Sequence, residues 1–414
     1  MDTLTAPLTN NESIRHEFPL FQKHPELVYL DSAATALKPK AVIDAVSGYY
    51  ETLSTNVGRG LYPLAEATTE QVEAARARVA RFIGAQGSEI IFTRGTTESI
   101  NLLASSLAPS LRKGDNIVVT EMEHHSNFLP WQRLAAERGL EFRILPIGKE
   151  GGIERESLEK IIDHRTALLS VSAVSNVLGT RNDIEMITDT VKKIRSAIIV
   201  VVDAAQMVGH EAISVSQLGA DYIAFSGHKM FGPTGVGILW GRQSLLESLP
   251  PYQLGGGMVI DACAELPQYK PVPYRFEAGT PDIASILGLG AAIDFIEGLG
   301  IDAIRAHEID ITRIALEKLH AAFGEEITVY GPTDADNRGG LISFTLAGVH
   351  PHDIAQTLGE ENICVRAGEH CAAPLHRALK IPATARASFS VYTTGEDIDR
   401  LILGLERAKK TFTK

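Results

Sequence analysis

A continuous apolar segment at residues 197–202 runs directly into Asp203. An uninterrupted run of this kind is typical of a parallel strand that is buried on both faces of a sheet. A second apolar run, at residues 222–225, ends shortly before Lys229. Because parallel strands end at one edge of an open α/β sheet, we expect the Asp203 carboxylate and the Lys229 amine to lie together at a ligand-binding edge.

A lysine beside a carboxylate at such an edge suits pyridoxal 5′-phosphate (PLP). The amine forms a Schiff base with the aldehyde, and the carboxylate keeps the pyridine nitrogen protonated. The alternative interpretation is a surface lysine and a strand-end aspartate that only caps a helix. The choice between these interpretations depends on the polar segments that follow the other strands.

Apolar runs and amphipathic segments alternate along most of the chain, and the runs fall at residues 90–92, 117–119, 167–171, 198–202, 222–225 and 237–240. This alternation predicts a mainly parallel sheet between helices. After about residue 297 the pattern changes to a helical stretch, short apolar runs and a closing helix, at residues 301–323, 327–330, 341–346, 363–366, 385–391 and 395–412. We therefore predict a smaller C-terminal α/β domain.

Length and composition limit the classes of function. A chain of 414 residues suggests two domains, which we place at residues 21–296 and 297–414, with an N-terminal arm at residues 1–20 that packs with the small domain. The net charge of -12 argues against nonspecific nucleic-acid binding. No apolar run approaches the ~20 residues of a membrane span. The N-terminus lacks a signal core and only three cysteines occur, so we expect a cytoplasmic protein.

Two segments suit a phosphate group. Residues 93–98, Thr-Arg-Gly-Thr-Thr-Glu, follow an apolar run and open a predicted helix. Free backbone N–H groups and the positive end of the helix dipole favour an anion there, although threonine is also a common helix cap. Ser226 and His228 flank Lys229 and are placed to hold a phosphate while the lysine reaches the aldehyde carbon.

Polar side chains follow other predicted strands as well. His124, in Glu-His-His-Ser-Asn, suits stacking on a flat cofactor ring. Adjacent histidines point apart and no further ligands follow at suitable spacing, so we expect no metal site. Asn176 suits a ring hydroxyl or a substrate carboxylate, and its alternative role is that of a turn residue. Gln206, in the loop after Asp203, suits the ring hydroxyl.

Taken together and in order, these segments resemble the fold-type I PLP enzymes of the class V aminotransferase group. The segments are Gly-Thr-Thr-Glu-Ser, Glu-His-His-Ser-Asn, Ser-Asn-Val-Leu-Gly, Val-Asp-Ala-Ala-Gln and Ser-Gly-His-Lys-Met-Phe-Gly-Pro-Thr-Gly. Within that group the chain resembles the Suf-type (group II) cysteine desulfurases and selenocysteine lyases, from about residue 15 to residue 410. The resemblance implies the PLP-dependent transferase fold of type I.

The resemblance also implies a role for each candidate cofactor residue. Lys229 is the Schiff-base lysine, Asp203 pairs with the pyridine nitrogen, His124 stacks on the ring and Gln206 contacts the ring hydroxyl. The side chains that hold the phosphate are Thr96, Thr97, Ser226 and His228. Thr280, in Glu-Ala-Gly-Thr-Pro, matches a threonine that completes the phosphate site of the partner subunit. A homodimer with shared sites is therefore implied.

Cys371 follows a predicted strand and a glycine turn, and it lies beside His370 and near Arg366. This setting favours a thiolate. The alternative is a buried cysteine that acts as a small hydrophobe, a role that suits Cys364. The resemblance implies that Cys371 is the nucleophile that forms a persulfide and that Arg386 clamps the substrate carboxylate, for which a guanidinium is suited. Arg366 is a further candidate for binding the substrate.

The implied reaction converts L-cysteine to L-alanine and leaves the sulfur on Cys371, with Lys229 and His124 as further catalytic residues. L-selenocysteine is a second implied substrate, and a Suf-type acceptor protein takes the sulfur for iron–sulfur cluster assembly. The alternatives are another class V lyase or epimerase, or a catalytically inert PLP-fold protein that binds partners. Gly58 and Glu369 stand where family members commonly carry histidine, which we expect to affect turnover rate and partner choice.

Overall fold

The structure is a computed structural model that describes residues 11–148, 151–262 and 266–413. The first ten residues of the predicted N-terminal arm and Cys263 lie outside the described residues. Cys364 and Cys371 both carry free thiols.

Helices and strands alternate through residues 11–299. The helices are α1 (Asn11–His16), α2 (Pro19–Lys23), α3 (Lys40–Gly48), α4 (Pro63–Ile83), α5 (Thr96–Leu107), α6 (His125–Arg138), α7 (Arg155–Ile161), α8 (Ile184–Ile194), α9 (Val215–Leu218), α10 (Gln243–Ser248) and α11 (Ile283–Leu299). The strands are β1 (Val28–Tyr29), β2 (Ile90–Thr93), β3 (Asn116–Thr120), β4 (Glu141–Leu145), β5 (Thr166–Ser172), β6 (Ile199–Asp203), β7 (Tyr222–Ser226), β8 (Gly237–Gly241), β9 (Val259–Asp261) and β10 (Gln268–Tyr269). A 3₁₀ turn, Gly227–Lys229, follows β7.

Seven of these strands form one sheet in the order β2-β8-β7-β6-β5-β3-β4. The pairs from β7 to β4 are parallel, and β8 runs antiparallel to both of its neighbours. Along β6, Val200 and Val202 join one buried cluster while Val201 joins another, so hydrophobic residues cover both faces of the sheet. The predicted mainly parallel α/β fold is confirmed. Strand β4 at the sheet edge was not predicted.

The remainder of the chain is built of helices and strands that include a second, antiparallel sheet. Its helices are α12 (Ile301–Phe323), α13 (Pro351–Glu360), α14 (Ala373–Ala378) and α15 (Gly395–Phe412). Its strands are β11 (Ile327–Tyr330), β12 (Leu341–Leu346), β13 (Ile363–Cys364), β14 (Arg366–Gly368) and β15 (Thr384–Ser388). The sheet order is β11-β12-β15-β14. The run at 363–366 divides into two short strands, and β13 pairs in parallel with β1 from the beginning of the chain.

The described part of the N-terminal arm contacts helices α11 and α15 and the loop before α15. Arg15 donates a hydrogen bond to the Asp397 carboxylate (2.8 Å) at the start of α15. The buried ring of Phe18 packs against Tyr392 and Phe295, with ring centroids 4.9 and 5.7 Å away. The arm therefore joins the two ends of the chain, while the domain boundaries at residues 20 and 296 remain predictions.

Among the described residues, no single helix is long and apolar enough to cross a membrane. Helix α11 and the helical stretch Ile301–Glu326 reach that length and apolarity only as a pair, and the two are bent by 75°.

Candidate active site

The carboxyl ends of the parallel strands meet at one edge of the large sheet. Strands β6 and β7 are neighbours that end at Asp203 and Ser226, and the 3₁₀ turn after β7 carries Lys229. A cavity of about 270 Å³ opens at this edge. The predicted site residues that line it are Thr96, Thr97, His124, Asn176, Asp203, Gln206, Ser226, His228, Lys229, Arg366, Cys371 and Arg386.

Lys229 and Asp203 both line the cavity, and each affects the pKa of the other. Burial lowers the pKa of the Lys229 amine to about 8, and the Asp203 carboxylate partly offsets this effect. Burial raises the pKa of Asp203, opposed by Lys229 and by a hydrogen bond from the Ala205 N–H to Oδ1 (2.9 Å). In the described part of the chain this is the single protein hydrogen bond to the carboxylate. A buried carboxylate requires a further donor or cation, which a pyridinium nitrogen supplies.

The first turn of α5 lies against the end of β7 and provides a seat for an anion. The Thr96 N–H donates to the Ser226 hydroxyl (2.9 Å), and the two hydroxyl oxygens lie 2.7 Å apart. The Thr97 hydroxyl lies 2.6 Å from that of Ser126. Hydroxyl groups at the N-terminus of a helix of 12 residues are the donors that a phosphate requires.

A close approach between two backbones shapes this seat. A Cβ atom on Gly237 in β8 would lie 2.4 Å from the Cα of Gly95, just before α5. Gly95 itself has a φ of 150°. Residue 237 must therefore be glycine if the turn before α5 is to rest directly on the sheet.

Two histidines in the cavity are neutral. Burial, and then the charge of Lys229, lower the pKa of His124 to about 3 and that of His228 to about 4. The Nδ1 atom of His124 accepts a hydrogen bond from the Ser126 N–H (3.1 Å), so the ring proton lies on Nε2. His124 thus presents an uncharged ring that can stack on another ring and donate one proton.

Glu123 is a buried acid that the sequence analysis did not single out. Its carboxylate accepts hydrogen bonds from the Ser172 N–H (3.0 Å), the Ser172 hydroxyl (2.6 Å) and the Asn127 amide (2.6 Å). Burial raises its pKa to about 7, against the effect of these hydrogen bonds. Glu123 therefore ties the segment that carries His124 to the end of β5.

Two arginines share one carboxylate at the side of the cavity. Arg366 donates to Asp31 (2.9 Å), and the Nη2 of Arg386 lies 3.4 Å from the same carboxylate. The Nη1 of Arg386 donates to the backbone carbonyl of Asn176 (2.8 Å), and its buried Nε has no hydrogen-bond partner among the residues that the structure describes. Burial lowers the pKa of Arg386 to about 10, so it stays charged at neutral pH. This guanidinium can receive a second carboxylate.

The side-chain amides of Asn176 and Gln206 each donate to protein. Asn176 Nδ2 donates to the His370 carbonyl (2.7 Å), and Gln206 Nε2 donates to the Ala33 carbonyl (2.8 Å). Each amide nitrogen carries two hydrogens. One donor of each amide therefore holds the wall of the cavity, and the predicted cofactor and substrate contacts depend on the other polar atoms.

Cys371 lies between β14 and α14 and is exposed. Its carbonyl accepts a hydrogen bond from the His125 N–H (2.7 Å). Cys371 lines the same cavity as Lys229, and the two side chains interact electrostatically. A thiol and an amine that lie far apart in the sequence thus face one space.

Thr280 does not line this cavity. It borders a separate recess, where its hydroxyl accepts a hydrogen bond from the Asn56 amide (3.2 Å). Its contribution to the site of a partner subunit stays a prediction.

The site residues hold no metal-binding arrangement. Within the residues that the structure describes, no three His, Cys, Asp or Glu side chains are grouped so as to hold a metal ion. The lining groups are instead donors, a buried carboxylate and an amine, which match the phosphate, ring nitrogen and aldehyde of PLP.

Comparison with known proteins identifies the family to which the chain belongs. Residues 28–401 match the family described as Aminotransferase class-V. The chain belongs to this family. Two similar proteins are probable cysteine desulfurases, from Streptomyces coelicolor (44% identity, 98% of both chains) and Halalkalibacterium halodurans (46% identity, 97% of this chain and 99% of the other). An apo structure of cysteine desulfurase from Thermococcus onnurineus matches with a TM-score of 0.93, 38% identity and coverage of 98% of this chain and 100% of that one.

The structure describes Gly58 and Glu369, the two positions at which this class-V chain differs from the usual histidine. Gly58 has a φ of 94°, a conformation that favours glycine, although a Cβ there would meet no atom within 4 Å. The backbone conformation, rather than lack of space, therefore disfavours a histidine at this position. Glu369 is exposed and lies two residues before Cys371, where an incoming protein can contact it.

Three residues of the class-V site escaped the sequence analysis: Asp31, Glu123 and His125. Glu123 belongs to the Glu-His-His-Ser-Asn segment, where its charge was the available signal, whereas Asp31 adjoins no segment that was singled out. His125 contacts the Cys371 segment through its backbone and its ring, and no local pattern indicates this contact.

Proposed function

We infer that the protein is a PLP-dependent cysteine desulfurase that converts L-cysteine to L-alanine and receives the sulfur on Cys371. One observation carries the inference: the Cys371 thiol and the Lys229 amine line one cavity at the carboxyl edge of the sheet. Full-length relatives that are named cysteine desulfurases support the substrate.

The cavity offers a residue for each part of PLP. Asp203 would hold the ring nitrogen, His124 would pack on the ring and Gln206 would contact the hydroxyl. Thr96, Thr97, Ser226 and His228 would hold the phosphate, and Thr280 of the partner subunit would complete this seat. When bound, PLP draws electrons from the substrate's Cα and so makes its proton acidic.

Lys229 moves the proton. The Lys229 amine, when free, would take the proton from the Cα of the substrate. Burial lowers its pKa to about 8, which leaves about a tenth of the amine neutral at pH 7. A base with a pKa near the working pH is effective because it both accepts and returns a proton.

Arg386 fixes the substrate carboxylate. Its guanidinium is buried on β15, held by Asn176, and only weakly paired with Asp31 at 3.4 Å. Two parallel N–H donors match a carboxylate, so the substrate is fixed in orientation as well as position. Arg366 donates shorter hydrogen bonds to Asp31, so this carboxylate is engaged mainly by Arg366 and only weakly by Arg386.

The sulfur moves from the substrate to Cys371 as one bond forms and another breaks. The Cys371 thiolate attacks the substrate sulfur, an S–S bond forms and the bond between Cβ and sulfur breaks. The electron pair of the broken bond stays with the substrate, whose carbon takes a proton to give alanine. Because Cys371 is exposed, its persulfide is open to an acceptor.

Replacement of Cys371 tests this function, and Cys364→Ala provides a matched control. With L-cysteine and a thiol reductant, Cys371→Ala should release neither alanine nor sulfide but keep the absorption band of bound PLP. Cys364→Ala should behave as wild type, because this half-buried cysteine lies within β13. Full desulfuration by Cys371→Ala would refute the assignment. Loss of the band in Lys229→Ala would exclude an inert scaffold without a Schiff base.

We also propose that L-selenocysteine is a substrate and that a small Suf-type acceptor protein takes the sulfur for iron–sulfur cluster assembly. Selenium leaves carbon more readily than sulfur, so lysis of selenocysteine should survive Cys371→Ala. Alanine production from cysteine should rise when the acceptor is added, and a rate that is unchanged by the acceptor would contradict this partner.

A homodimer is proposed from the position of Thr280, which faces a recess outside its own cavity. Mixing Lys229→Ala protein with Thr280→Val protein should restore activity, because one of the two shared sites then has both side chains. If the mixture shows only the summed activities of the two separate variants, shared sites would be contradicted. The cytoplasmic location stays a prediction.

A further inference from the structure

The segment that carries Cys371 has an unfavourable backbone conformation. His370 and Cys371 have φ angles of 50° and 58°, so two successive non-glycine residues lie in the left-handed region. L-residues disfavour this conformation because Cβ crowds the carbonyl oxygen. Such a conformation persists only where surrounding contacts hold it.

Hydrogen bonds from the large sheet's side of the cavity hold this segment on both sides of the thiol. The His125 N–H donates to the Cys371 carbonyl (2.7 Å), and the His125 Nε2 accepts from the Ala373 N–H (3.1 Å). The Asn176 amide donates to the His370 carbonyl (2.7 Å). All three bonds engage backbone atoms of the segment, so the Cys371 side chain is left to react.

His125 occupies a position suited to this role. It is the first residue of α6, directly after His124, which lines the cavity. His125 itself does not line the cavity, so it acts on the reaction through the Cys371 segment. The Nε2 atom of His125 serves as the acceptor in this contact.

We propose that His125 is a positioning residue, which uses its backbone N–H and its ring Nε2 to hold the Cys371 segment in the left-handed conformation that presents the thiol to the substrate sulfur. This inference rests on the proposed desulfurase function. It predicts a specific defect when the clamp is removed: the steps before sulfur transfer proceed normally, and transfer to Cys371 slows.

Three variants separate the parts of the clamp. His125→Gln keeps an acceptor at about the place of Nε2, and His125→Ala removes it. His125→Pro removes both the ring and the N–H, and proline suits the first position of a helix. His124 before it has a ψ of 147°, which a following proline favours.

Two rates are measured on each purified PLP-bound variant after mixing with L-cysteine. Stopped-flow absorbance follows the change at the cofactor, and rapid quenching with mass spectrometry follows the addition of one sulfur atom to the peptide that contains Cys371. We expect the absorbance change to keep its wild-type rate in all three variants. Sulfur addition should stay within about threefold of wild type in His125→Gln, fall about tenfold in His125→Ala and fall further in His125→Pro, since tenfold corresponds to the loss of about one hydrogen bond.

Equal rates of sulfur addition in the Gln, Ala and Pro variants would overturn the inference, as would a parallel slowing of the absorbance change, which would place His125 with the cofactor instead. If His125→Pro does not fold, the Gln and Ala pair decides. Wild-type protein that adds no sulfur to Cys371 would refute the proposed function itself, and this outcome is read independently of the His125 variants.

Discussion

Glu123→Gln should change how the stability of the protein depends on pH. Burial raises the Glu123 pKa from 4.5 to about 7, so the folded protein binds this proton more tightly than the unfolded chain does. The contribution is fully present below pH 4.5 and is lost as the pH rises through 7. A difference of about 2.5 pKa units corresponds to ~3 kcal/mol of unfolding free energy at most. Glutamine does not titrate, so the unfolding free energy of the variant lacks this dependence on pH. As the pH rises from 4.5 through 7, the variant should therefore gain stability relative to wild type.

The assay is the thermal midpoint at a series of pH values from 5 to 8, followed by tryptophan fluorescence. Trp131 is a suitable probe because its indole N–H donates to Asn127, which in turn donates to Glu123 (3.1 and 2.6 Å). Glu137→Gln, at a half-exposed position on α6, the helix that carries Trp131, controls for the loss of one negative charge. A midpoint difference between Glu123→Gln and wild type that is constant across this range would refute the argument that burial controls this group.

Two further substitutions test the substrate and cofactor contacts. Arg386→Lys should raise KM for cysteine by roughly thirtyfold, because losing a charge-assisted hydrogen bond costs about 2 kcal/mol; steady-state kinetics measures this, and an unchanged KM would contradict the carboxylate clamp. Gly237→Ala should weaken PLP binding, because its Cβ would lie 2.4 Å from the Gly95 Cα and displace the turn before α5; titration of the apoprotein with PLP measures this, and wild-type affinity would contradict it.

Elements with strong local patterns were predictable. Strands β6 and β7 are apolar runs that are buried throughout or nearly so, and the polar residues at their ends line the cavity. Strand β4 escaped prediction because it is an edge strand in which Leu145 alone is buried and Glu141 and Arg143 form an ion pair. Its charged side chains face solvent instead of packing in a core, so the sequence shows no apolar run at this strand.

Contacts between distant segments were beyond the reach of local patterns. The residue type of Cys371 indicated its chemistry, but its left-handed backbone depends on hydrogen bonds from residues 125 and 176. In the same way, Asp31 lies between two arginines because the chain after β1 runs beside β15, where the backbones of Asp31 and Ser388 form an isolated β-bridge. Both features arise from tertiary packing, which a single sequence does not encode in any short window.

The pairing of β1 with β13 has a consequence for anyone who dissects this chain. Val28 and Leu30 sit fully enclosed among the hydrophobic residues beneath the antiparallel sheet, although they are synthesised long before it. A fragment that starts at residue 301 would lack these side chains and leave Ile363 without its strand partner. The C-terminal part is thus not a separable module, and we expect it to be insoluble when expressed alone but rescued by a peptide that supplies residues 24–34.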